Sequence, residues 1–244
     1  LTGPLDRDAL AQAVQRTIAE TPALALRFAA GPQGPRQWVG LPPMLGFADL
    51  SAQPDAEAQA LAQMRADSRR PLDLGRAPAG ALTLFVLGPE RHLLYERIHH
   101  LAIDGYGMVL VTNRIAAHYA ALVAGAPAPE PFGPLSLATE EDAVWRASPR
   151  RLADRDWWHA ELAGLPEVAG LAPGRAVSGP DFLRDSRLLP QALLDRLAGY
   201  AARHRLGWPD VLNALTGAYL ARWTGGEAVI GLPFMARMGR KIAQ

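Results

Sequence analysis

Apolar residues recur every four positions at Leu10, Val14 and Ile18, behind Asp6 and Asp8, either of which can cap a helix, and the pattern stops before Pro22. The run LALRFAA that follows is strand-like, and GPQGPR turns the chain into a second short strand, QWVG. Asp55 to Arg69, rich in Ala, Gln, Glu and Arg, predicts a second helix. The stretch GALTLFVLGPERHLLYERIHH reads as a hairpin turning at Gly88 to Arg91. Its second run alternates through Leu94, Tyr95 and Ile98 and then reaches His99 and His100. Tyr106 to Val123 predicts a helix that is apolar on most sides (Val109, Leu110, Ile115, Ala116, Tyr119, Leu122) and therefore buried, with Gly125 as its stop.

The Pro-rich stretch Gly125 to Pro134 can be neither helix nor central strand. Helical patterns resume over Ala138 to Ala147 and Arg150 to Leu162, and Trp157 and Trp158 in the second are expected in the core or at a contact between subdomains. A loop-rich segment then divides the chain into 1–165, a linker at 166–179, and 180–244. In the last part a strand is expected over Arg184 to Leu189 and a helix over Gln191 to Arg203. A further helix with Pro209 in its first turn runs to Trp223, and AVIGLPFM reads as a strand. Helices and strands alternate without repeats, which fits an α/β or α+β chain.

Composition narrows the function classes. The 244 residues are 49% apolar, enough for a large core, and 25 basic against 24 acidic side chains give a net charge of +1. That balance offers no case for nucleic acid or an anionic membrane surface. Cysteine is absent, which excludes disulfides, thiolate metal sites and a cysteine nucleophile and suits a cytoplasmic protein. No targeting segment is read at the start, and no run approaches the roughly 18 apolar residues of a membrane span.

The candidate chemistry lies in YERIHHLAIDGYGMVL, where a strand gives way to a helix. Neutral imidazole is the side chain best placed to accept a proton near neutral pH. Adjacent histidines at a strand end point to opposite sides, so one of His99 and His100 faces a site and the other the packing. Asp104 could orient a histidine or tie down the loop through an ion pair. Gly105 and Gly107 leave room for close approach, and the helix start near Tyr106 adds a potential that favours an oxyanion. A pair of core histidines is the bland alternative. A metal site has too few ligands, and His92, His118, His159 and His204 occur singly, as surface or satisfied core residues would.

These residues resemble a known family. HHLAIDG is similar to the HHxxxDG signature of the condensation domains of nonribosomal peptide synthetases, shared with chloramphenicol acetyltransferase-like acyltransferases. GPLDRDALAQAVQRTIAETPALALRF, EDAVW, DRDWWHAELAGLPE, GWPDVLNALTGAYLARWTG and VIGLPFMARMG resemble further family segments in family order, in the form of enterobactin-synthetase-like members. The resemblance implies a two-lobed chloramphenicol acetyltransferase-like fold, with the first lobe nearly complete and the second partial. It implies amide or ester formation between acyl groups carried on the phosphopantetheine arms of donor and acceptor carrier domains, beside an adenylation domain, with no bound cofactor and no metal.

Carried over by position, His100 is the active-site histidine, His99 its motif neighbour, Asp104 the structural carboxylate and Gly105 a channel-lining glycine. Arg237 falls where the family has an arginine that pairs with that aspartate and joins the two halves. Tyr106 and Trp208 are candidates to border the channel, although a tryptophan beside Pro209 is more often a packing anchor. Ala25 stands where relatives carry an arginine, while Arg27 and Phe28 are kept. The opening Ser-x-Ala-Gln motif is absent and the family domain is roughly twice as long, so a piece cut at both ends is expected. Two other functions remain open: a stand-alone acyltransferase using coenzyme A thioesters, and a non-catalytic fragment that binds carrier domains.

Overall fold

The computed structural model describes residues 1–166, 171, 179 and 184–233. Two compact units emerge, one built on Leu1–Val144 and the other beginning at Trp145. The linker expected at 166–179 falls almost wholly outside the described residues.

In the first unit, α1 (Arg7–Glu20) starts where Asp6 accepts the Ala9 N–H at 2.9 Å. Its four-residue apolar spacing buries Leu10, Val14 and Ile18 together. A 3₁₀ turn (Pro22–Ala25) leads into β1 (Leu26–Ala29), which pairs antiparallel with β2 (Arg36–Val39). β3 (Leu45–Asp49) then runs parallel to β4 (Gly80–Gly88), and β4 turns at Gly88 into antiparallel β5 (Arg91–Ile98), giving the sheet order β3-β4-β5. The hairpin lies where the alternation puts it. β3 was not anticipated, because LGFAD is too short and too poor in β-branched residues to stand out; it is defined by its ladder to β4.

The sheet separates two apolar layers. On one side Leu82 and Leu84 of β4 meet α1, Leu24 and the helix α3 (Gly105–Ala124) through Val111 and Ile115. On the other, Phe85 packs with Leu50 and with Ala60 of α2 (Ala56–Arg69). Each fully buried leucine contributes about 1.5–3 kcal/mol. α3 departs from the expectation of all-round burial: Gly107, Val111, Ile115 and His118 are buried, whereas Val109 is 53% and Val123 58% exposed in the described chain. Among the described residues it is the one helix long and apolar enough to cross a membrane, and its buried stripe is packed against α1 and the sheet.

An ion-pair knot pins α2 to β5. Asp67 accepts from Arg97 Nε at 2.6 Å, from the Tyr95 hydroxyl at 3.2 Å and from Arg70 at 3.2 Å. Burial pushes the Asp67 carboxyl up, but the hydrogen bond and charge of Arg97, joined by Tyr95 and Arg70, hold it below the usual carboxylate range. A lowered folded pKa stabilises the fold above the unfolded value of about 3.9 and ceases to do so as pH falls through the folded one. Asp67→Asn should therefore lower the melting temperature at pH 7 and flatten its fall below about pH 4, measured by melts across pH.

The second unit holds α5 (Pro149–Leu162), α6 (Gln191–Arg203) and α7 (Trp208–Thr224); α4 (Ser136–Ala147) precedes them. Leu197 and Ala201 of α6 meet Val211 of α7. Two expectations fail here. Trp157 and Trp158 form an edge-to-face pair and are 54% and 55% exposed, so among the described residues they are not core. Arg184 to Leu189 is not a strand, because no described neighbour offers it a ladder, and the described part of AVIGLPFM is likewise irregular.

Candidate active site

The histidines sit in a turn built from the end of β5. The ladder continues one residue past Ile98, with the His99 N–H donating to Ala79 O at 2.8 Å. The Ala102 N–H then donates to His99 O at 2.9 Å, closing a four-residue turn with His100 and Leu101 at its corners. The Leu101 N–H donates to His99 Nδ1 at 3.1 Å. His99 is thus committed to holding the turn. Strand alternation no longer governs the pair once the ladder ends, so both histidines are exposed rather than one facing the core. His100 makes no hydrogen bond to any described residue, which leaves its ring available at the corner.

After the turn, Asp104 caps α3. Its backbone is extended and its carboxylate accepts the Gly107 N–H at 2.9 Å, while its carbonyl accepts the Met108 N–H at 2.9 Å. This N-cap is a role that the sequence reading did not name for Asp104. The two glycines differ. Gly105 is exposed and a Cβ there would meet nothing within 4 Å, whereas a Cβ on buried Gly107 would lie 2.5 Å from Ile103 Cγ1. Ile103 joins the main core, so it cannot simply retreat. Gly107→Ala should destabilise by about 1–3 kcal/mol and lower the melting temperature by about 2–4 °C per kcal/mol, while Gly105→Ala should leave the melt unchanged.

Tyr106 is half-buried in the first turn of α3. Trp208 opens α7 in the second unit and is exposed. Arg237 lies outside the described residues. His92 and His118 are both buried, and His118 Nε2 lies 3.0 Å from Glu20 Oε1, tying α3 to α1. Among the described residues no three acidic or histidine side chains converge as a metal site would require.

A sheet backed by α1 and α3 that ends in a histidine turn and a capped helix places the protein among chloramphenicol acetyltransferase-like α/β proteins. The sequence model of the condensation domain matches residues 1–244, and the chain belongs to the condensation-domain family. It is 37% identical over 243 residues to the dimodular nonribosomal peptide synthase of Bacillus subtilis (strain 168), covering 98% of this chain and 10% of that protein. Enterobactin synthase component F of Escherichia coli (strain K12) is 33% identical over 253 residues, covering 98% of this chain and 19% of its own length. The starter condensation domain of rhizomide synthetase RzmA, a variant in complex with C8-CoA, superposes with a TM-score of 0.88 at 33% identity, covering 98% of this chain and 55% of that one. The chain thus spans about half of that solved domain and a tenth to a fifth of these relatives.

Proposed function

We propose that this chain is part of a domain that forms an amide bond between a donor acyl group and an acceptor amine, each presented as a thioester on the phosphopantetheine arm of a carrier domain in the cytoplasm. The observation that carries the reading is His100: an imidazole without internal hydrogen bonds, held at the corner of a turn in a chain of this family. The acceptor nitrogen attacks the donor carbonyl, the C–N bond forms, the C–S bond breaks, and the proton lost by nitrogen passes through His100 to the departing sulfur. A base within about 3 Å of the amine contributes roughly 10²–10⁴-fold, and holding two tethered reactants together contributes about 7–11 kcal/mol of barrier. His100 therefore acts by positioning as well as by proton transfer.

Asp104 keeps the turn and helix start in register, and its pairing with Arg237 belongs to the same proposal, as do Gly105, Tyr106 and Trp208 as channel residues and the two-lobe division at 166–179. Donor and acceptor carrier domains and an adjacent adenylation domain are the partners it implies. A second reading has one observation in its favour: the similar RzmA domain is in complex with C8-CoA. Incubating the full-length protein with an aminoacyl carrier and either a carrier-bound or a coenzyme A-bound donor, with mass spectrometry of the acceptor carrier, separates the two. Amide formed from the carrier-bound donor supports the first; turnover with the free donor alone supports the second; carrier binding without turnover leaves only a docking module.

A further inference from the structure

The face of β5 toward α3 presents Leu94, Glu96 and Ile98 in turn. Leu94 and Ile98 join the main core, and Glu96 between them stands opposite buried Leu82 of β4. A carboxylate in this row has one hydrogen-bond partner among the described residues, the Thr112 hydroxyl of α3, 3.1 Å from one oxygen and 3.3 Å from the other. That hydroxyl also lies 3.0 Å from Met108 O, and its single proton cannot serve both acceptors fully. No described arginine or histidine pairs with Glu96, and burial pushes its carboxyl above the usual range, with Thr112 offsetting this only in part. The arrangement lacks a cation, and a half-buried carboxylate gains most from one supplied with hydrogen-bonding N–H groups.

Chain geometry limits where on a substrate that cation can sit. Glu96 lies four positions before His100, so their Cα atoms are at most about 13 Å apart. A group further along an acyl chain whose reacting carbonyl sits at His100 is within that reach. We propose that Glu96 is a specificity residue for the donor acyl chain, accepting hydrogen bonds from a protonated amine carried roughly eight to ten bonds from the reacting carbonyl, at about 1.1 Å per bond with allowance for the side chains. This rests on the reading of His100 as the reacting centre.

The test compares 8-aminooctanoyl and octanoyl pantetheine thioesters, measuring both equilibrium binding and turnover with the full-length parent and with Glu96→Gln, which keeps size and the Thr112 contact. The expected result is that the ratio of amine-terminated to methyl-terminated affinity falls about tenfold or more in Glu96→Gln, with octanoyl binding unchanged. An unchanged ratio, including an equal weakening of both chains as a purely structural role would give, overturns the proposal. A shifted binding ratio without amide formation by the parent would uphold the role of Glu96 and refute the condensation reading instead.

Discussion

His100→Ala in the full-length protein is expected to lower amide formation by about 10²–10⁴-fold while leaving the thermal melt within a degree or so of the parent. The stability half of this expectation follows from the turn, in which the hydrogen bonds belong to His99, Ala79, Leu101 and Ala102 and none to the His100 ring. His99→Ala should invert the pattern in part, because it removes the acceptor of the Leu101 N–H and loosens the corner that carries His100. Asp104→Ala should damage both properties: the lost cap alone costs about 1 kcal/mol, and the proposed pairing with Arg237 would add the larger cost of a broken ion pair. Steady-state rates with a carrier-bound donor, set beside melts of the same samples, decide the matter. Full activity in His100→Ala, or a melt that falls with the rate, would remove His100 from the chemistry.

The largest effect on stability is expected at Arg27. The residue is 7% exposed, and among the described residues its guanidinium bonds only to carbonyls: Nε donates to Arg76 O at 3.1 Å, Nη1 to Ala25 O at 2.8 Å and Leu26 O at 3.3 Å, and Nη2 to Leu41 O at 3.0 Å. It also packs close to Gly40, where a Cβ would come within 3.1 Å of Cζ. The guanidinium thereby joins β1, the connection after β2 and the segment before β4, which no apolar contact could do with the same geometry. In Arg27→Met the Ala25 and Leu26 carbonyls keep the N–H groups of Gly40 and Ala79, so the penalty concentrates on Arg76 O and Leu41 O. With hydrogen bonds to a charged group worth about 1.5–3 kcal/mol, a net loss on the order of 3 kcal/mol follows, or about 6–12 °C. Arg27→Lys should recover only part of it, since an ammonium cannot reach the same spread of acceptors. A Met variant melting within 2 °C of the parent would contradict this account, checked by calorimetry or circular dichroism.

Much of the fold could be read directly from the chain, because local physics sets it. The four-residue spacing of Leu10, Val14 and Ile18, the turn at Gly88 to Arg91 and the stop at Gly125 each produced the element they signal. The failures share one cause. β3, the segment Arg184 to Leu189 and the exposure of Trp157 and Trp158 all depend on whether another segment lies alongside, and a local pattern carries no information on that.

The candidate site divides the same way. The residue types of HHLAIDG, their order and the family to which they point are legible in the sequence alone, since chemistry and spacing are written there. Only the tertiary structure decided that His99 is spent on its own turn while His100 is left open, that Gly107 rather than Gly105 is sterically required, and that Glu96 stands on the α3 face of β5 without a cation among the described residues. Those distinctions arise from hydrogen bonds and close contacts between positions distant in sequence, such as His99 with Ala79 and Glu96 with Thr112, and such pairings exist only once the sheet and α3 have come together.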